Sequence, residues 1–581
     1  MLSECIEVFC KESEETRKKR ILDGYIPANG SYVLVKPKDN SFEIDQIVDI
    51  YMDTKNKVLQ GKTNNKFNDI CFYDYNSQII SINKSIEKKK LVQSNNYLCF
   101  FIKKDSLTNG KLTKDIIDNY YDILSNPREK YNSAKGKELY DFAEKEIGRV
   151  NIDRLESIRN WIKDNIFSLP KEVIEGKGYL KIFFEYPNED YINEGKRYLI
   201  PNIFNKNDFT ELVDDTIYGL PDNNISMNDK KPYVGNNTRI NRAPYLVEIN
   251  DVIKQKEFFD LLSNFVSDGK LNVYISDNYI KAYDDGKFPD EDFNGIFIRL
   301  NKGTEVEIQD YDIITGFKRK LPKKIMFKPS LEIDLNYKIK IPDFYGIIDS
   351  REKFQNVLNE ALFSKCLVNN YFRETKDINI KDNILKENLL LSRNRIFNYI
   401  YKGIDTGIFD VLDNVSLNLI KNNIKNNNDL IAKHQFNLRW SLKNYTGGIN
   451  MADVLSETIM SLEEKINMNE YKPIKNDDEY YFSVGQIVSY LLTKYKGKNR
   501  PLSLAGPFTN AKDNVTLKEN LRKMYNKYSY AVNIGDKRFK NYYVLVTGYV
   551  PENEVNQDMI IAGLLSKNLI FKSNKEEVVN E

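Results

Sequence analysis

The stretches FSVGQIVSYLLTKY (482–495), VTLKENLRKMYNKYSYAV (515–532) and NQDMIIAGLLSKNLIF (556–571) decide how the C-terminal part of this chain is expected to fold. In the first, Val484, Ile487, Val488, Leu491, Leu492 and Tyr495 recur at the three- and four-residue spacing of one buried helix face. In the second, Leu517, Leu521, Met524 and Tyr528 form an apolar stripe. Lys518 with Arg522, and Lys523 with Lys527, stack four residues apart on its flanks. The third places Asn556 as an N-cap and Asp558 in the first turn, ahead of Ile560, Ile561, Leu564, Leu565 and Leu569. Three amphipathic helices are predicted, the last docking on the others.

Charge is concentrated in the same region. Residues 491–540 carry twelve Lys/Arg against three acids, Asp513, Glu519 and Asp536, an excess of nine in a chain whose net charge is +2. A solvated helical surface accounts for scattered charges, but a single-sign field of this size points to an anionic partner. Lys494, Lys496, Lys498, Arg500, Lys512, Lys518, Arg522, Lys523, Lys527, Lys537 and Arg538 are therefore candidate nucleic-acid contacts.

Upstream of these helices the helical period extends back to residue 351, with turns supplied by Gly403, Gly407, Asn426 to Asn428 and Gly447-Gly448. Before 351 the pattern changes. SYVLVK after the turn at 27–30, EIDQIVDIYM, DICFYDY, QIISI, YLCFFIKK, YLKIFFEYP and RYLIP are each enriched in β-branched or aromatic residues and read as strands. Residues 116–167 read as a helical insert, and 271–314 as consecutive antiparallel strands. The expected fold class is α+β: an N-terminal mixed α/β region with antiparallel sheet over 1–350, and an all-α helical bundle over 351–581.

Two further segments are candidate contacts. Between 218 and 247 apolar periodicity disappears and Asn223, Asn224, Asn228, Asn236 and Asn237 accompany Lys230, Lys231, Arg239 and Arg242. Long loops of this kind are often functional, and amide and basic side chains suit base edges and phosphates, although a solvated Asn-rich loop has the same composition. FKRKLPKKIMFK (317–328), with Lys318, Arg319 and Lys320, is basic enough to border a nucleic-acid channel or to be a solvated linker.

Several chemistries lack their residues. His434 stands alone, which removes His-based triads, zinc hydrolases and His-ligated metal nucleases. Cys5, Cys10, Cys71, Cys99 and Cys366 form no CxxC pair, so no metal site and no disulfide framework is expected and a reducing cytoplasm is favoured. Gly61-Lys62-Thr63 lacks the earlier glycine of a phosphate loop, since Asn56 stands there. Asp284-Asp285, with Asp290, Glu291 and Asp292, offers carboxylates for a metal-dependent nuclease or polymerase, but a hairpin tip is the simpler reading. No run of about 18 apolar residues occurs, so no membrane partner is expected.

ILDGYIPANGSYVLV (21–35), KKPYVGNNTR (230–239), FTNAKDNVTLKENLRKMYNKYSYAV (508–532) and GYVPENEVNQDMIIAGLLSKNLIF (548–571), in that order, resemble the large subunit of type I-B CRISPR Cascade complexes, the Csh-type Cas-eight-b group. The resemblance implies a non-enzymatic subunit without cofactor that binds crRNA and target double-stranded DNA and helps recognise the PAM and stabilise the R-loop. Its implied partners are the Cascade backbone subunits and the helicase-nuclease. Base pairing would then read the target, and protein the PAM and backbone shape. Relatives carry a cysteine-rich zinc insertion that this chain lacks. A stand-alone RNA-binding scaffold is the other non-catalytic alternative. The family resemblance also suggests a separate small subunit made from an internal start at Met451, giving residues 451–581; GlyGly at 447–448 is compatible with a ribosome-binding sequence at a workable distance.

Overall fold

The computed structural model describes residues 2–39, 41–53, 58–205, 210–214, 216–222, 246–303, 306–333, 343–447, 451–468, 472–497, 501–533 and 535–571. The chain is α+β, and it divides into two compact units, Met1–Asp284 with Gly295–Ile313, and Asp285–Asn294 with Ile314–Glu581. The expected boundary at 350 falls inside the second of these.

The first unit is built on a five-stranded mixed sheet of β1 (Gly30–Lys38), β2 (Ser41–Asp53), β3 (Val58–Gln60), β4 (Cys99–Lys103) and β5 (Tyr179–Phe184), in the order β3-β2-β1-β5-β4. Strands β1 and β5 are parallel, with Val33 opposite Ile182, whereas β1–β2 and β4–β5 are antiparallel. Tyr32 to Val35 are buried at every position, as a central strand covered on both faces requires. The covering side chains include Ile116, Tyr120, Ile158 and Ile162 from the helices Lys114–Ser125 and Ile152–Asn165. A second sheet has the order Ile280–Asp284, Lys270–Ile275, Phe293–Lys302, Val306–Phe317; it shares a core with Phe258, Leu261 and Leu262 of the helix Ile249–Ser267.

Three predicted strands are corrected. DICFYDY lies in the helix Phe67–Asn76, and RYLIP in the helix Asn188–Asn202. QIISI forms one isolated bridge, Gln78 to Ser94, and leads into the 3-10 turn Ile82–Lys84. In the first case Ile70, Cys71 and Asp74 are buried at helical spacing, and the Asp74 carboxylate receives Lys181 of β5 and the Tyr25 hydroxyl. A short apolar run records burial before it records backbone conformation.

In the second unit, the strands Lys320–Phe327 and Gly346–Ser350 pair antiparallel, and the described residues from 351 onward form helices and their connections. The principal helices are Asn383–Phe397, Ile408–Lys425, Asp429–Gly447, Met451–Asn467, Asp477–Thr493, Asn514–Tyr528, Lys537–Gly548 and Gln557–Leu565. Helix Asp477–Thr493 is their axis: each residue from Glu479 to Leu492 is buried, not one face alone. Ser483, Gly485, Gln486 and Ser489 fill the side that the apolar stripe left open. There it meets helix Gln557–Leu565 backbone to backbone. A Cβ on Gly485 would lie 2.2 Å from the Ile560 carbonyl oxygen, and one on Gly563 would lie 2.0 Å from that of Phe482. Gln486 closes the crossing, donating to the Gly563 carbonyl at 2.6 Å and accepting from the Leu569 N–H at 2.8 Å.

The expected cap at Asn556 forms, its side chain accepting from Met559 N. Asp513, Asp536 and Asn476 cap the Asn514–Tyr528, Lys537–Gly548 and Asp477–Thr493 helices in the same way. Asp558 does more than favour a helix N-terminus. Its carboxylate takes two bonds from Arg439, at 2.8 and 3.1 Å, and a further one from Lys443. Ile420, Ile424, Ala432, Phe436 and Trp440 share the core of the residues after 451. Helix Asp429–Gly447 ends and Met451–Asn467 begins on either side of the expected internal start.

Burial alone would raise the Asp558 pKa, but Arg439 and Lys443 outweigh it and hold the carboxyl below its usual range. Its stabilising contribution is therefore complete above the unfolded value of about 3.9 and is lost as pH falls through the lower folded value. Asp558→Asn takes one of two carboxylates from the buried Arg439, which keeps that of Asp413 at 3.0 Å, and is expected to cost about 1.5–3 kcal/mol. The urea midpoint at pH 7 checks this, and the difference from the parent should shrink in acid.

Candidate nucleic-acid interface

The C-terminal end of helix Asp477–Thr493 emerges from the core among rings and cations. Tyr490, its last buried aromatic residue, stands 4.7 Å from Phe539 and 5.2 Å from Phe571 between ring centroids. Phe539 in turn stacks at 6.2 Å on Tyr525 and 5.9 Å on Tyr543, which lie 4.5 Å from each other. The ladder passes from buried to exposed: Phe571 is 56% accessible, and nearby Tyr530 and Tyr495 are 61% and 44%. Tyr495 thus departs from the buried stripe in which its spacing placed it, because the helix stops at Thr493.

Lysines sit over these rings. Lys494 Nζ is 4.3 Å from the Tyr490 centroid and 5.8 Å from that of Phe571, and Lys496 Nζ is 4.8 Å from that of Tyr530. Such contacts hold an exposed ammonium without neutralising it. Lys537, Arg538 and Lys540 begin helix Lys537–Gly548, where the macrodipole disfavours cations, so helix stability does not explain their placement. The buried Nε of Arg538 has no hydrogen-bond partner among the described residues.

The flanks of helix Asn514–Tyr528 are unequal. Arg522 is exposed and pairs twice with Glu519 at 3.1 Å, while Lys523 lies 3.7 Å from the same carboxylate. Exposed pairs of this type are worth about 0–1 kcal/mol and are easily exchanged for another anion. Lys512 and Lys527 are exposed as well. Lys518 is different: it is half-buried, donates to the Tyr549 carbonyl, and lies 5.8 Å from the Tyr480 ring. Burial lowers its pKa. Lys518 ties two helices together, whereas Arg522, Lys523 and Lys527 face outward.

The other candidates are not gathered at this surface by any described contact. Lys318 pairs with Asp292 at 2.7 Å, and Arg319 donates to the Asp290 carbonyl at 3.1 Å and meets Glu352 at 3.4 Å. Lys320 begins the adjoining strand and is exposed. Lys318 and Asp292 thus answer one another, the carboxyl being held below its usual range first by the Lys318 hydrogen bond. Asp284 ends a strand and Asp285 begins the turn that follows, but the expected hairpin is corrected: Ile280–Asp284 and Phe293–Lys302 both pair with Lys270–Ile275, on opposite sides of it, so residues 285–292 cross between them. Among the described residues no group of three His, Cys, Asp or Glu is arranged to hold a metal ion. His434 accepts from or donates to the Tyr345 hydroxyl at 2.8 Å and packs edge-on against Phe344. The loop candidates Asn223, Asn224, Asn228, Lys230, Lys231, Asn236, Asn237, Arg239 and Arg242, and also Lys498 and Arg500, lie outside the described residues.

A cavity of about 340 Å³ is lined by Phe409, Asp410, Asp413, Arg439 and Lys443, and its carboxylates balance its cations and select no ligand charge. No helix among the described residues is long and apolar enough to cross a membrane. Compared with known families, curated proteins and solved structures, the chain has no match.

The inward and outward lysines should separate in experiment. Lys523→Ala with Lys527→Ala is expected to reduce the slope of log K against log salt for DNA binding by about 0.7–0.9 for each phosphate no longer neutralised, without changing the melting temperature. Lys518→Ala should leave that slope alone and lower stability by about 1.5–3 kcal/mol, the range for a hydrogen bond involving a charged group. Salt titrations of binding and denaturant melts of the three proteins check both.

Proposed function

We propose that this chain is the non-catalytic large subunit of a CRISPR RNA-guided DNA surveillance complex of the type I-B Cascade kind, working in the cytoplasm with crRNA, target double-stranded DNA and the complex's backbone subunits. The observation that carries the reading is the separation of charge. Residues 491–540 hold an excess of nine positive charges, so the rest of the chain is net −7 when the total is +2. Lys494, Lys496, Lys512, Lys523, Lys527 and Lys540 are half-buried or exposed on the bundle, Lys494 and Lys496 beside the accessible rings of Phe571 and Tyr530. A basic face with aromatic side chains suits nucleic acid, with phosphates setting affinity. The sequence resemblance supplies the assembly, and with it PAM recognition, R-loop stabilisation and recruitment of the helicase-nuclease. The Asn-rich segment read over 218–247 is proposed as the PAM-side contact on its composition.

The small subunit proposed to start at Met451 has a physical requirement. Released from the chain, residues 451–581 would lose Trp440, Phe436 and the Arg439 partner of Asp558. Such a product therefore needs a neighbouring subunit over that face, and would be found in the complex and not alone.

Co-expression with a Cascade backbone and crRNA is expected to yield a complex containing the chain and binding target duplex with PAM dependence. Failure to assemble, or magnesium- or manganese-dependent DNA cleavage by the purified chain that Asp285→Asn abolishes, overturns the reading in favour of an enzyme. Mass spectrometry of the same complex should show a 451–581 product that disappears with Met451→Leu.

A further inference from the structure

Exposed rings are the feature that phosphate binding leaves unexplained. We propose that Tyr495, Tyr530 and Phe571, with Lys494 and Lys496, form a stacking platform for an unpaired nucleic-acid strand, bound through its bases and phosphates without regard to its sugar. The inference rests on the nucleic-acid reading above and goes further in naming the strand's state.

Three observations converge on this one place. Tyr530 and Phe571 are more than half accessible, and Tyr495 is 44% accessible, although each adjoins a bundle with ample core to bury a ring. Each lysine is held against a ring, Lys494 over Tyr490 and Phe571 and Lys496 over Tyr530, so that cation and π-face are presented side by side. Behind them the ladder through Tyr490, Phe539, Tyr525 and Tyr543 fixes the platform to the bundle; Tyr490 also approaches the Asp536 carboxylate, at 3.4 Å. A duplex keeps its bases stacked on one another and offers such rings nothing but its ends. An unpaired strand offers a base face to each ring and a phosphate to each ammonium. Rings and ammonium groups carry no paired donor and acceptor with which to select a base edge, so tolerance of sequence follows. A protein partner would also cover exposed rings, but the local excess of nine positive charges favours the polyanion.

The test uses the full-length chain with fluorescein-labelled dT15, U15 and a 15-base-pair duplex, read by anisotropy. The dT15 and U15 affinities should agree within about threefold. Tyr530→Ala with Phe571→Ala should weaken both by about tenfold or more and leave duplex binding within about twofold. Tyr530→Phe with Phe571→Tyr, which keeps the rings, should restore parental binding. Lys494→Ala with Lys496→Ala should instead flatten the single-strand salt slope by about 0.7 per phosphate. Both rings are surface-exposed, and unchanged melting temperatures establish that the variants fold. Parental dT15 binding by the ring-less variant overturns the platform even where the lysine variants weaken binding; the nucleic-acid reading then survives alone. If that variant binds dT15 normally but fails to enter the complex, the rings serve a protein interface and the inference is again overturned. Absence of binding to all three probes at low salt removes both the platform and the reading beneath it.

Discussion

The approach of two backbones at Gly485 and Gly563 is the constraint on which the C-terminal unit depends. Side chains at these positions would overlap carbonyl oxygens of the facing helix, so no rotamer adjustment relieves them. Contact at this range brings polar backbone groups together as well as apolar ones. Gln486 deals with those left over, bonding to Gly563 and Leu569 through its side chain while its own carbonyl accepts from Asn568. The remaining helices then pack around an axis that is buried throughout, and the stripe Leu517, Leu521, Met524 and Tyr528 finds its partner there.

Charge is sorted by the same packing. Asp558 and Glu479 are buried and compensated, the first by Arg439 and Lys443, the second by Lys465 and the Ser461 hydroxyl. Removing one partner of such a buried pair is costly, whereas replacing the whole pair by apolar side chains of similar volume is often neutral. Outside, Arg522 and Lys523 share one exposed carboxylate, Lys494 and Lys496 lie against rings, and Lys512 and Lys540 are exposed. One basic sequence is thus divided into cations that hold helices together, Lys518 above all, and cations available to a partner.

Periodicity was reliable where elements are long. The stripe of 515–532, the Asn556 cap, and the sheet around SYVLVK and YLKIFFEYP are found as read, whereas the helix expected over 556–571 stops at Leu565, is buried on every side from Asp558, and leaves Leu569 in a separate 3-10 turn. It failed for DICFYDY and RYLIP, seven and five residues rich in aromatic and branched side chains. Such runs are too short to distinguish a period of two from one of 3.6, and their composition reports only that both environments are buried. The polar signal is misleading in the opposite sense. Ser483, Gln486 and Ser489 have the composition of a solvent face, but helix Gln557–Leu565 covers it, and the Gly563 carbonyl that Gln486 reaches lies 77 residues further on.

By itself, the sequence determined the α+β class, the helical C-terminal part, the Asn556 cap, and the concentration of positive charge over 491–540, because these follow from local periodicity and from counting. Which lysines face inward, that Tyr495 leaves the buried stripe, and that Tyr490, Phe539, Phe571, Tyr525 and Tyr543 form one ladder were decided only by tertiary structure. Those rings come from four separate segments, and only the packing of the helices brings them together.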